Sequence, residues 1–246
     1  SLFGAIIGDI VGSRFERYDH KSKEFELFTD DCRATDDSMM TIAVAKALMD
    51  AEKLFQRESS ATSNHYNDLL EKMAIQSMQE IGRKYPDRGY GGMFAKWIFS
   101  DDPQPYHSFG NGAAMRISPV AYVANREDEL YKLSESVTGV THDHPEGLKG
   151  AEATALAIFL ARTGSTKEEI YHKIANHYYP LDFTIDEIRD SFGFDATCQG
   201  TVPQAIVAFL ESTSFEDAIR NAISLGGDCD TLAAITGSIA EAYYGI

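Results

Sequence analysis

Cysteine is scarce. Cys32, Cys198 and Cys229 are the only three, and they are too few and too scattered for a disulfide framework or a zinc knuckle, which fits a reducing, cytoplasmic setting. Basic residues are also short: Lys and Arg number 22 against 38 acids, a net charge of −16. With no compensating basic block, non-specific binding to nucleic acid or to anionic lipid is excluded. No apolar run approaches the ~18 residues that span a bilayer, so no membrane association is expected. The apolar Leu2–Gly12 stretch has no basic flank and carries Asp9, which argues against a signal peptide. Seven prolines in 246 residues and 43% hydrophobic content exclude a disordered chain.

Strand signals are almost absent, and helical periodicity takes their place. Thr41–Leu54 sets Ile42, Ala45, Leu48 and Met49 on one stripe. Similar stripes run through Leu69–Ile81, Glu129–Val140, Gly147–Arg162, Val202–Leu210, Phe215–Leu225 and Asp230–Tyr244. The last two of these, together with Ala151–Leu160, are apolar on most faces and read as central helices. Arg57–Asn64 is the most linker-like stretch, but a helical pattern resumes at once, so it reads as a surface loop. The expectation is an all-α, single-domain protein over residues 1–246. Its long irregular segments (19–35, 100–112, 180–186 and 191–201) are the places to look for binding residues.

Carboxylates are concentrated in three segments: Gly8-Asp9 through Glu16, Thr35-Asp36-Asp37-Ser38, and Gly226-Gly227-Asp228-Cys229-Asp230-Thr231. Alone, Thr35-Asp36-Asp37 reads as a helix N-cap with acids complementing the helix dipole. Taken together, the second and third segments each offer two carboxylates and a hydroxyl at the start of a helix that must be buried. Buried acids without cationic partners are costly. Hard oxygen donors of this kind suit Mg²⁺ or Mn²⁺, and four carboxylates, two threonine hydroxyls and Glu16 are enough for two ions.

Ser108-Phe109-Gly110-Asn111-Gly112 precedes a helical pattern, and its glycines permit positive φ and an anion-binding nest of backbone N–H groups. In a chain this acidic, such a local device suits a phosphate-bearing ligand. Thr141-His142-Asp143-His144 allows a His-Asp phosphohydrolase site, but the further histidine ligand has no convincing place upstream; otherwise His142 donates to a ligand oxygen or caps the preceding helix. Acids on both sides of Cys229 raise its thiol pKa and argue against a nucleophile. Trp97 reads as core.

These segments, in this order, resemble the ADP-ribosylglycohydrolase family from Gly4 to about Ala242. The Gly-Asp-x-x-Gly-x-x-x-Glu start, the Thr-Asp-Asp motif, the Gly-Asn-Gly segment ending in Met-Arg and the Gly-Gly-Asp-x-Asp-Thr end carry the resemblance. It implies a compact orthogonal bundle with a dinuclear Mg²⁺ or Mn²⁺ centre in a cleft. It implies metal ligation by Thr35, Asp36, Asp37, Asp228, Asp230 and Thr231, with Glu16 and Asp37 in catalysis. It also implies ADP-ribose contacts from Gly91, in the Gly89–Gly92 loop, from Ser108, Phe109, Gly110, Asn111 and Gly112, and from His142. Cys229 stands where the family often has Thr, and Ala113 where it often has a second Gly. The implied activity is hydrolysis of an N- or O-glycosidic bond between ADP-ribose and a protein side chain, a nucleic-acid base or a small O-acyl group. A non-catalytic ADP-ribose-binding regulator and an unrelated metal-dependent phosphohydrolase are the alternatives, and a monomer is the expected state.

Overall fold

The computed structural model describes residues 1–16, 18–57 and 63–246. Arg17 and residues 58–62, most of the expected Arg57–Asn64 loop, lie outside the described residues. Among the described residues there are thirteen helices and no strand. They are α1 (Phe3–Gly12), α2 (Asp36–Phe55), α3 (Ser63–Lys84), α4 (Gly92–Ile98), α5 (Gly112–Met115), α6 (Ser118–Val123), α7 (Glu127–Gly139), α8 (Pro145–Arg162), α9 (Lys167–His177), α10 (Ile185–Ile188), α11 (Val202–Leu210), α12 (Phe215–Ile223) and α13 (Cys229–Tyr244). The only extended pairing among them is a single bridge between Gly110 and Thr197.

Two helices form the axis of the core, as their composition predicts. In α13 every residue from Cys229 to Ala240 is buried, and α8 is buried along most of its length. The third helix expected in the centre, α12, lies at the surface. It buries Ala218, Ile219, Ala222 and Ile223, while Glu216 and Arg220 pair on its open face at 2.8 Å. Alanine content alone made it look central; the i, i+4 charge pair marks the solvent side.

The closest joint in the fold is between α1 and α13. Gly4, Gly8 and Gly12 recur at every fourth residue and so form one stripe of α1. A Cβ on Gly8 would sit 2.0 Å from the Ala233 carbonyl oxygen, and one on Gly4 would sit 2.2 Å from that of Gly237. The two backbones therefore touch, and only glycine permits it. At the top of α1, the Gly4 amide donates to Glu241 Oε2 at 2.8 Å.

The helix before the site starts earlier than its apolar stripe. Thr35 caps α2, its hydroxyl accepting from the Asp37 amide at 3.3 Å, so Asp36 and Asp37 occupy the first turn. The capping reading of Thr35 holds, and the same geometry sets both carboxylates at the start of a buried helix.

Candidate active site

Asp9 lies on an otherwise apolar helix, one residue after the Gly8 contact, and the α1–α13 joint carries it beside the start of α13. It is fully buried and held by four donors from the opposite side. The Thr35 hydroxyl donates at 2.6 Å, the Thr35 amide at 2.9 Å and the Ser38 amide at 3.1 Å; the Ser38 hydroxyl also donates. The Thr35 hydroxyl lies 3.2 Å from Asp37 Oδ2 as well, so the cap ties Asp9 to Asp37.

The third wall is the start of α13. Gly226 and Gly227 both take the left-handed conformation, at φ +70° and +68°, and this tight turn puts Asp228 at the N-cap and Asp230 in the first turn. Lys21 fixes the turn from outside, donating to the Leu225 carbonyl at 2.7 Å and the Phe192 carbonyl at 2.6 Å while pairing with Asp19. The positive ends of α2 and α13 therefore converge on the same carboxylates.

The result is two triads that share Asp230. Oxygens of Asp9, Asp37 and Asp230 lie within 4.8 Å of one another, and so do oxygens of Glu16, Asp228 and Asp230. Burial pushes the Asp37 and Asp230 carboxyls well above the usual carboxylate range, and their acidic neighbours push further in the same direction. Burial raises Asp9 and Asp228 too, against the hydrogen bonds they receive. Asp36 is raised to about 7, first by burial and then by Asp9, Asp228 and Glu16. Among the described residues Asp37 Oδ1 is buried with no hydrogen-bond partner. An orphaned buried carboxylate oxygen inside an all-oxygen donor set fits a hard divalent cation and gives no reason to expect zinc.

The acids form the floor of a cleft of about 650 Å³. Its walls include Asp36, Gly89, Gly91, Gly92, Ser108, Gly110, Asn111, Gly112 and His142. A wider apolar groove of about 870 Å³, lined by Leu48, Met49, Tyr122 and Leu133, has neither the acid cluster nor the glycine loop. Among the expected site residues, Asp36 is on the cleft wall, outside both triads, with its Oδ1 facing Gly89. Thr231 lines the cleft, whereas Thr35 sits behind it, engaged with Asp9 and Asp37. Phe109 is 43% exposed, packs on the His144 ring and does not line the cleft.

The glycine loop differs from the expected nest. Neither Gly110 nor Gly112 takes a positive φ. The Gly110 amide donates to Ser108 Oγ at 3.1 Å and the Asn111 amide to the Ala196 carbonyl at 2.8 Å, so successive N–H groups are not left open. The two glycines lie beside His142 instead: a Cβ on Gly110 or Gly112 would meet His142 Nε2 at ordinary contact distance, 3.6 or 3.4 Å. Asn111 turns its amide toward the acids, donating to Asp228 Oδ2 at 2.7 Å and to Thr201 at 3.1 Å.

His142 is buried beside Arg116, and burial followed by that guanidinium pushes its imidazole well below the usual range. Its backbone amide closes the end of the preceding helix, donating to the Thr138 carbonyl at 2.9 Å, but its side chain caps no helix. The capping histidine is His144, whose Nδ1 accepts from the Glu146 amide at the start of α8. Asp143 faces outward and accepts from the His107 amide at 2.7 Å, so it does not join His142 at the acid cluster. The Cys229 thiol is raised by burial first and then by Asp230 and Asp228. Trp97 is core, as expected.

Sequence reasoning left Asp9 without a site role. The signal was present, a lone carboxylate inside an apolar helical stripe. Ser38 and Arg116 lie inside the Thr35–Ser38 and Gly-Asn-Gly…Met-Arg segments but were given no role of their own, because a Ser after two acids and an Arg after an apolar turn are ordinary in a helical protein.

A profile of the ADP-ribosylglycohydrolase family matches residues 1–246. The chain belongs to this family. It is 26% identical to the ADP-ribosylhydrolase ARH3 of Mus musculus, over all of this chain and 83% of that protein. It is also 26% identical to ARH3 of Homo sapiens, over all of this chain and 84% of that protein. The ADP-ribosylarginine hydrolase Tri1 of Pseudomonas putida (strain GB-1) is 30% identical over 61% of this chain and 42% of its own length. Among solved structures, an ADP-ribosylglycohydrolase-related protein complex superimposes with a TM-score of 0.69 at 23% identity, covering 99% of this chain and 86% of that one; this likeness supports the all-α fold. Among the described residues no helix is long and apolar enough to cross a membrane.

Proposed function

We propose that this member of the ADP-ribosylglycohydrolase family is a metal-dependent hydrolase that cleaves the glycosidic bond between ADP-ribose and its acceptor. The observation that carries the reading is the unpartnered buried oxygen of Asp37, set among acids at the floor of a cleft whose wall is the glycine loop. Two hard divalent cations, Mg²⁺ or Mn²⁺, would be held by Asp37, Asp228 and Asp230, with Asp9, Glu16, Asp36, Thr35 and Thr231 completing or bracing the donor set. Bound there, they supply Lewis acidity toward the ribose hydroxyls and the attacking water.

The chain's own groups do the rest. Glu16 lies just past the end of α1 at the cleft and takes the proton of the attacking water. Cleavage at the anomeric carbon develops oxocarbenium character, and the surrounding carboxylates stabilise that positive charge. Ser108, Gly110, Gly112 and His142 border the path of the diphosphate and ribose, and Gly91 borders the ribose from the opposite wall. Asn111, also on the cleft wall, fixes the Asp228 carboxylate.

Purified protein stripped with EDTA and reloaded with Mg²⁺ or Mn²⁺ is incubated with ADP-ribosyl-arginine, an ADP-ribosyl-serine peptide, ADP-ribosylated DNA and O-acetyl-ADP-ribose. Metal-dependent release of free ADP-ribose from at least one is expected. Binding of ADP-ribose without release from any of the four would overturn the enzyme in favour of a binding protein.

A further inference from the structure

Among the described residues Arg116 is the largest fully buried side chain, only 1% exposed, and none of the ion pairs seen among them includes it. Burial lowers its guanidinium to about 10, so it remains a cation at neutral pH. The charge rests 5.3 Å from the centre of the Phe94 ring, and among the described residues its side-chain hydrogen bonds go to two groups. Its Nη2 donates to the Thr141 hydroxyl at 2.6 Å and lies 3.4 Å from His142 Nδ1. The Thr141 hydroxyl is in turn 2.7 Å from the same Nδ1, while its alternative acceptor, the Thr138 carbonyl, is at 3.5 Å.

Donor counting settles the direction. A guanidinium has no acceptor, so the Thr141 oxygen must accept from it and is free to pass its own proton on. A protonated Nδ1 would face the guanidinium N–H groups donor to donor, and a doubly protonated ring would add a second buried cation. Tyr106, whose ring centre is 5.9 Å from that of His142, offers no compensating charge: burial raises its hydroxyl to about 12. Nδ1 therefore accepts, and the ring proton sits on Nε2. Nε2 faces the gap over Gly110 and Gly112.

We propose that Arg116 is a positioning residue that acts through Thr141 to lock His142 as the neutral Nε2–H tautomer, presenting one fixed donor to an anionic oxygen of the ligand above the glycine loop. The ligand half of this inference rests on the ADP-ribose reading; the tautomer half does not. The arrangement brings positive charge near a phosphate while keeping the contact atom neutral, so the histidine is not drawn into an ion pair with the acid cluster.

The test is a long-range ¹H–¹⁵N spectrum of ¹⁵N-histidine-labelled full-length protein without ligand, with the His142 resonances assigned by their loss in His142→Gln. An unprotonated Nδ1 and a protonated Nε2 are expected; Nδ1–H or a doubly protonated ring in the wild type overturns the proposal. Thr141→Val, which keeps the shape but removes the hydroxyl, should mix the tautomers and weaken ADP-ribose binding about tenfold by titration calorimetry, the usual loss for one hydrogen bond. Thr141→Ser should restore both. A Thr141→Val protein with wild-type tautomer and affinity overturns the relay. Wild-type protein that fails to bind ADP-ribose overturns the ligand half, and the tautomer is still read without it.

Discussion

Glu16 and Gly112 test different halves of the cleft. Replacing Glu16 by Gln keeps its size and removes the proton acceptor, so turnover should fall by roughly 10²–10⁴-fold, the span of a positioned general base. ADP-ribose affinity should change far less, and kcat and Kd measured on the same preparation check the split. Two basic residues near Glu16 in sequence have roles of their own: Arg14 donates to Thr29 and to the Glu26 carbonyl, and Lys21 holds the turn before Asp228. Gly112→Val should do the reverse. A branched side chain starting 3.4 Å from His142 Nε2 fills the gap the ligand needs, so ADP-ribose binding weakens while Mg²⁺ binding stays near wild type. Calorimetry with each ligand separates the two, and an unchanged ADP-ribose affinity would remove the glycine loop from the binding site.

At the scale of elements, the acid cluster depends on a helix contact outside the cleft. Gly8→Ala places a methyl 2.0 Å from a backbone oxygen, which no side-chain rotation relieves, so α1 must move off α13. Overpacking of this kind costs about 1–3 kcal/mol. Because Asp9 and Asp230 ride on the two helices, the expected outcome is a lower Tm together with weaker Mg²⁺ binding. Loss of stability with intact metal affinity would show that Asp9 does not set the site. These elements were unequally legible. Helices with a wide apolar stripe, such as α8, α11 and α13, could be read to within a few residues, since burial of one face is written in the 3.6-residue period. The periodicity passed over α9, whose short buried face of Ile170 and Ile174 hardly registers, although Thr166 and Glu169 form a capping box that marks its start. The Thr35–Asp37 and Asp228–Thr231 clusters were legible because two like motifs each opened a buried helix. The α1–α13 joint was not, because a stripe of glycines on one helix does not name the helix it meets.

For the whole molecule, unneutralised acid in the core makes stability depend on pH in a direction that reverses with metal. Carboxyls in an unfolded chain ionise near pH 4. In the metal-free fold Asp36 keeps its proton up to about 7, and burial followed by acidic neighbours raises Asp37 and Asp230 well above the usual carboxylate range as well. Folding then takes up protons across roughly pH 4–7, so the metal-free protein loses stability as pH rises through that window. A dication needs the ionised forms, and its stabilisation grows with pH. Calorimetric scans at pH 5.5 and 7.5 should show a higher Tm at the lower pH in EDTA, and an equal or higher Tm at the upper pH with saturating Mg²⁺. Parallel slopes in the two conditions would mean that the acids hold no metal. EDTA should also lower Tm at pH 7.5, and Mg²⁺ or Mn²⁺ should restore it.

The backbone contact between α1 and α13 also imposes an order of events during synthesis. The Gly4 amide and its Glu241 acceptor are 237 positions apart, and the intervening helices are made before the partner of α1 emerges from the ribosome. Until then the glycine face of α1 has no partner, although Asp9 can already meet Thr35 and Ser38. Docking across so long a loop is slow to nucleate and leaves the nascent chain prone to association. On the proposed metal site, cation binding would be a late event of folding, since a chain arrested before α13 has the Thr35–Asp37 half of the site without Asp228 and Asp230. Released full-length chain should gain protease resistance on adding Mg²⁺, whereas ribosome-held chains ending before Gly226 should not respond to it.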